Sequence, residues 1–198
     1  ADIYGCGSCE TVFGKAIKGY EREKLIIQTK CGIVRGERFD FSYEHIIDSV
    51  NGSLKRLDTD YIDFYLVHSL DRQKWDKCVE WGIKDFLDDL KAKGRISYAC
   101  FSFHDNYDAF EHIINDYDWD MCQIQFNYMD EHEQAGIRGY KLTEEKQIPL
   151  IIMEPIKGGS LANFADDITA KFRALDPEAS TASYALRWVG TFPNVKVI

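Results

Sequence analysis

Apolar residues are spaced along this chain in two rhythms. Short runs rich in β-branched and aromatic residues occur at Leu25–Thr29, Tyr61–Val67, Ile96–Phe101, Met121–Phe126, Pro149–Met153 and Val195–Ile198. Runs of this length bounded by turn-forming residues predict buried strands. Between them the apolar positions return at helical spacing. Ser42 precedes Ile46, Ile47, Val50, Leu54 and Leu57, as an N-cap precedes a buried stripe. Ile83, Phe86, Leu87 and Leu90 form a second stripe, closed by Gly94 in the C′ position, with Asp89, Lys91 and Lys93 as its solvated face. Ala109, Ile113 and Ile114 predict a shorter helix capped by Asn106 or Asp108, and Pro177 with Ala182–Val189 predicts the last one. Strands alternating with helices predict an α/β protein with a parallel sheet, either a barrel or doubly wound.

In a barrel the carboxyl ends of the strands carry the chemistry. Lys30 and His68 stand where such runs give way to loops, and Tyr4 stands at the tip of an earlier one. A phenol, an ammonium and an imidazole converging there would donate a proton to a carbonyl. Free tyrosine, with a pKa of about 10, is too weak an acid for that task near neutrality, and an adjacent ammonium lowers it. Taken singly, each residue has a plainer reading: a rim tyrosine, a solvated lysine, a core histidine. Their joint spacing, taken with the wording of the segments that carry them, favours the chemical one.

The wording of three segments is more specific. Residues 57–68, Leu-Asp-Thr-Asp-Tyr-Ile-Asp-Phe-Tyr-Leu-Val-His, resemble the aldo-keto reductase signature, in which the fourth barrel strand ends on a histidine. Residues 1–5, Ala-Asp-Ile-Tyr-Gly, are similar to the end of that family's catalytic-tyrosine segment, and residues 25–32 to its lysine strand. Weaker similarity continues through Glu154-Pro155 to residues 185–188, so the resemblance covers essentially the whole chain. It implies a (β/α)8 TIM barrel and carbonyl reduction with a nicotinamide cofactor, NADP(H) rather than NAD(H). It assigns Tyr4 as general acid, Lys30 as its tuner and His68 as the donor that orients the carbonyl. Ser102 and Gln123 match the residues that hold the nicotinamide carboxamide. Phe103 replaces the family's asparagine, and His104 is a candidate substitute or simply a loop histidine. Met153 stands where many members stack a tyrosine on the nicotinamide, and Glu154 and Lys157 are candidate rim contacts.

The family barrel needs about 250 residues, and this chain of 198 opens inside a motif without an initiator methionine. It is therefore expected to be a single barrel domain, residues 1–198, truncated at both ends. The aspartate that partners the family's lysine would fall upstream of Ala1, and the grip on the adenosine phosphate beyond Ile198. The polypeptide alone is accordingly expected to bind NADPH poorly and to be inactive. The wording resembles a bacterial branch that carries a C-terminal iron–sulfur segment, which would also lie past Ile198. A reading from another class is a nicotinamide-binding regulatory module with vestigial turnover, as in channel-associated relatives.

Composition narrows the partners. A net charge of −9 argues against nucleic acid or an anionic membrane surface, and no apolar stretch approaches the roughly 18 residues of a spanning helix. A small-molecule carbonyl is the expected partner. Six cysteines are scattered along the chain. Cys31, Cys100 and Cys122 lie in or beside predicted strands, where a thiol behaves as a small hydrophobe, and a reducing cytoplasm is the simplest home. Cys6-Gly-Ser-Cys9 has redox or metal spacing, yet no second pair completes a zinc site. With no His-x-His or clustered carboxylates, a metal-dependent hydrolase on the same barrel is disfavoured. Gly5-Cys-Gly-Ser-Cys-Glu10 begins like a dinucleotide fingerprint but lacks its third glycine, so a Rossmann domain is not expected.

Overall fold

The computed structural model describes residues 3–34 and 38–198, so Ala1 and Asp2 of the tyrosine motif lie outside the described residues. The chain forms two compact units, Ala1–Ser102 with His112–Met121, and Phe103–Glu111 with Cys122–Ile198.

The first unit opens with α1 (Tyr4–Gly7) and α2 (Cys9–Ala16), then β1 (Gln28–Cys31) and an antiparallel hairpin of β2 (Ile33–Val34) and β3 (Arg38–Phe39). Alternation follows: α3 (Tyr43–Leu57), β4 (Ile62–Leu70), α4 (Arg72–Glu80), α5 (Ile83–Ala92) and β5 (Ile96–Phe103). The next elements are α6 (Tyr107–Asp116) and β6 (Met121–Gln125). The second unit continues with α7 (Gly136–Glu145), β7 (Leu150–Met153), α8 (Asp166–Leu175), α9 (Thr181–Gly190) and β8 (Val195–Val197).

Strand β1 runs parallel to β4 with Lys30 level with Leu66, and β5 lies on the other side of β4. Side chains alternate between the faces of a strand. One face of β1 and β4 presents Thr29, Cys31, Tyr65 and Val67, all buried. Thr29 Oγ1 donates to the Glu10 carboxylate of α2, which identifies this as the helical side. Lys30, Leu66 and His68 therefore share the opposite face, and Phe64 stacking on Tyr98 at 4.8 Å puts Ser102 of β5 there too. The core of the unit is aromatic: Trp119 meets Trp75 at 5.3 Å and Phe101 at 4.7 Å. The buried indole of Trp75 donates to Asp116 at 2.8 Å, so its polar atom is not stranded. Gly14 lets α2 lie against α3, because a Cβ there would sit 2.4 Å from the Arg56 carbonyl oxygen.

In the second unit β6 and β7, then β7 and β8, pair in parallel, with Gln123 level with Ile151 and Gln125 with Met153. Phe126, Trp188 and Phe192 form its centre, with Phe126 to Trp188 at 4.9 Å. Asn194 ties the start of β8 to the Ile148 carbonyl at 2.8 Å.

Several expected boundaries shift for identifiable reasons. β1 begins at Gln28 rather than Leu25, because side chains claim the backbone before it. The Ile27 N–H donates to Asp63 and the Leu25 carbonyl accepts from Arg22, both at 2.8 Å. β4 continues to Leu70, so His68 lies inside the strand. Tyr4 stands in a short helical turn with Gly5 and Cys6 in the left-handed region, rather than at a strand tip. Asn106, accepting from Ala109 N at 3.1 Å, is the residue that caps α6. Ser42 takes the N-cap position of α3 without a side-chain capping bond. Lys91 is paired with Asp120 rather than merely solvated. No helix among the described residues is long and apolar enough to cross a membrane.

Candidate active site

Two of the three expected residues are in direct contact. The Tyr4 hydroxyl lies 3.0 Å from His68 Nε2, donating or accepting according to the imidazole tautomer. The rings meet edge to face, with centroids 5.7 Å apart. His68 is buried and Tyr4 is 44% exposed, so the phenol can still meet a ligand from solvent. Lys30 completes the cluster from the neighbouring strand, its Nζ 5.6 Å from the centre of the Tyr4 ring.

The electrostatics differ from the expected tuning. Burial, and secondarily the Cys9 thiol, raise the Tyr4 phenol above its ordinary value, and burial lowers the Lys30 ammonium. The ammonium lies 5.6 Å from the centre of the ring, and it is His68 that engages the phenol oxygen. The net shift of the phenol is upward, so Tyr4 is a weaker acid here than free tyrosine. The phenol keeps its proton through neutrality, and His68 is its immediate hydrogen-bonding partner.

Glu10 was not among the sequence candidates, yet it fixes the segment that carries Tyr4. Its buried carboxylate accepts from Thr29 Oγ1 at 2.5 Å, Ser53 Oγ at 2.9 Å and Arg56 Nε at 2.8 Å. It thus joins α2 to α3 and to the residue beside Lys30. The sequence signal for it is faint: one acidic residue four places before Gly14.

Of the candidate cofactor contacts, Ser102 lies in the first unit. Its buried Oγ accepts from the Ser69 N–H at 2.8 Å, which leaves the hydroxyl proton to donate. Phe103, in the asparagine position, is fully buried against Phe110, and His104 is exposed. In the second unit Gln123 is buried, with its amide oxygen unpartnered among the described residues. An orphaned acceptor of this kind costs about 1–3 kcal/mol and suits a carboxamide N–H, so the residues present fit a nicotinamide. Met153 shares the face of Gln123 on the neighbouring strand and is partly exposed. Glu154 is chiefly a turn builder. It sits at φ 55°, its carbonyl accepts from Asn127 and its carboxylate from the Gly158 N–H. Lys157 pairs with Asp130.

Cys6 and Cys9 are exposed and unbonded, and the other four thiols are buried. Among the described residues no group of three or more potential ligands could hold a metal.

Parallel strands alternate with helices, and a tyrosine, a histidine and a lysine cluster beside β1 and β4. The aldo/keto reductase family model matches residues 1–195, and the chain belongs to that family. The oxidoreductase YcsN of Bacillus subtilis is 33% identical over 175 residues, covering 81% of this chain and 56% of the relative. A Schizosaccharomyces pombe protein named for the voltage-gated potassium channel β subunits is 30% identical over 201 residues, covering 92% and 53%. The chain thus spans about half the length of the curated relatives it matches. Among solved structures, the holo form of aldo-keto reductase AKR11C1 from Bacillus halodurans superposes with a TM-score of 0.82 at 22% identity, covering 99% of this chain and 68% of the other. An aldo-keto reductase from Klebsiella pneumoniae in complex with NADPH gives 0.73 at 21%, covering 100% and 66%. The fold is accordingly that of an incomplete (β/α)8 barrel.

Proposed function

We propose that the protein reduces aldehyde or ketone carbonyls, with Tyr4 delivering the proton. The observation that carries this reading is the 3.0 Å contact between the Tyr4 hydroxyl and His68 Nε2 beside the Lys30 ammonium. Reduction needs a hydride at carbon and a proton at oxygen, and a bound nicotinamide supplies the hydride. The residues supply the rest. Tyr4, protonated through neutrality, gives its proton to the carbonyl oxygen. His68, as its Nε2–H tautomer, donates to the phenol oxygen, which leaves the phenol proton for the carbonyl, and shares that N–H with the carbonyl oxygen. Lys30 places a positive charge near the developing alkoxide, where it acts in a partly water-excluded site. Ser102 is assigned as a donor to the nicotinamide carboxamide and Gln123 as an acceptor from it, with Met153 packing on the ring and Glu154 shaping the adjoining turn. The NADPH complex of the Klebsiella pneumoniae relative supports NADP(H) over NAD(H). Six free thiols suit a reducing compartment, the cytoplasm.

The test is loss of reduced-nicotinamide absorbance across a panel of small aldehydes and ketones with the full-length protein. Tyr4→Phe should lower turnover by about 10²–10⁴-fold, the usual worth of a positioned general acid. Undiminished turnover in that variant would overturn the assignment. The channel-subunit relative favours one second reading, a nicotinamide-binding regulatory module. For that, Tyr4→Phe would leave cofactor and partner affinity intact and the wild type would turn over no carbonyl.

A further inference from the structure

Immediately after His68 the backbone takes a conformation that a side chain rarely adopts. Ser69 sits at φ 55°, in the left-handed region, inside a strand otherwise extended. Non-glycine residues stay there only when the surroundings hold them. Here both polar groups of its backbone are held by side chains. The Ser69 N–H donates to Ser102 Oγ at 2.8 Å, and Lys74 Nζ donates to the Ser69 carbonyl at 2.7 Å. Lys74 is itself fixed on two further sides, by Asp71 at 2.7 Å and by the Phe39 ring at 3.9 Å.

We infer that Lys74, together with Ser102, is a positioning residue that clamps Ser69 in its left-handed conformation and thereby aims His68 at Tyr4. This rests on the reading of Tyr4 and His68 as the reacting pair, and extends it to a residue outside the cluster. The peptide plane between residues 68 and 69 turns with the φ of Ser69. Releasing Ser69 to extended backbone rotates that plane and carries the imidazole with it. A hydrogen bond of 3.0 Å survives only a few tenths of an ångström of such drift before it weakens. The clamp also gives Ser102 a defined hydroxyl direction: since Oγ accepts from Ser69, its proton points elsewhere and is available to a ligand. The plainer role for Lys74 is as part of the start of α4, where Asp71 Oδ1 caps by accepting from Lys74 N at 2.8 Å. The two roles separate experimentally, because that cap uses the backbone of Lys74 and the clamp uses its ammonium.

The experiment follows the His68 ring nitrogens by NMR in protein labelled at histidine, alongside turnover of an aldehyde with NADPH. Lys74→Met should abolish the hydrogen-bonded Nε2 signature and lower kcat about ten- to a hundredfold, the scale of a misplacement near 1 Å, with little change in KM. Adding Ser69→Gly, which adopts a positive φ without restraint, should restore both. The inference is overturned if Lys74→Met keeps the signature or if glycine fails to restore it. Should Tyr4→Phe prove fully active, the catalytic reading falls, while the NMR results judge the clamp independently.

Discussion

Replacing Glu10 by alanine removes the acceptor of three hydrogen bonds at once. The hydroxyls of Thr29 and Ser53 are both fully or nearly fully buried, and each would be left with an unmet donor at about 1–3 kcal/mol. The Arg56 side chain is 30% exposed, so it re-enters water and adds less than about 1 kcal/mol, as a solvent-accessible pair does. A total near 4 kcal/mol is a large part of the roughly 5–15 kcal/mol that holds an ordinary domain together. Glutamine retains one carbonyl oxygen for the two hydroxyls and loses only the charge toward Arg56, so Glu10→Gln should cost about 1–2 kcal/mol. Urea unfolding read by tryptophan fluorescence is the assay. Trp75, Trp81 and Trp119 belong to the first unit, and a Trp188→Phe background confines the signal to them. With a slope of about 2 kcal/mol per molar, Glu10→Ala should lower the midpoint by about 2 M and Glu10→Gln by less than 1 M. A shift under about 0.5 M for alanine, or equal shifts for both variants, would refute the hydrogen-bond accounting.

Lys30→Met should stabilise the protein at neutral pH in thermal melts. Burial lowers the folded-state pKa of Lys30, so the cost of its charge is fully present below that pKa and disappears as pH rises from there toward the unfolded value; the variant's advantage should shrink over the same window. The raised folded-state pKa of Tyr4 works in the opposite sense, reducing stability as pH climbs past the unfolded phenol's pKa. Native protein should expose two thiols to a disulfide reagent, Cys6 and Cys9, and all six after unfolding, with buried Cys78 and Cys122 also held protonated by desolvation; rapid titration of four or more native thiols would contradict the packing. Gln123→Met should raise stability by about 1–2 kcal/mol by removing an unpartnered buried amide oxygen, while weakening NADPH binding in a fluorescence titration. Loss of stability there would show that Gln123 is satisfied within the fold.

The two rhythms of apolar residues were enough to place β5 through β8 to within two residues, helped by Gly94, Pro149, Pro155 and Pro193 beside three of the four strands. They were poor guides around β1. Leu25, Ile26 and Ile27 read as strand, but Arg22 and Asp63 take the backbone groups that a ladder would use. No local pattern announces a side chain arriving from a distant segment. The hairpin of β2 and β3 escaped for a related reason: its strands are two residues each, below the length at which alternation is visible.

Contact within the site was legible in identity but not in roles. Motif wording brought Tyr4, Lys30 and His68 to the same strand ends, and the expected chemistry paired the lysine with the phenol oxygen. The structure pairs the histidine with it. Which of two neighbours reaches an oxygen depends on differences of a few ångströms, set here by the turn at Gly5 and Cys6 and by the left-handed Ser69. Gly5 marks the turn in the sequence, but nothing marks Cys6 or Ser69, since neither is a residue that favours positive φ. Both bracket the Tyr4–His68 contact, one on each partner's backbone. Strain of this sort persists only where other bonds enforce it, and Ser102 and Lys74 visibly do so for Ser69. The geometry of the pair is thus held by residues that never touch it, and substitutions there should alter proton delivery before they alter the fold.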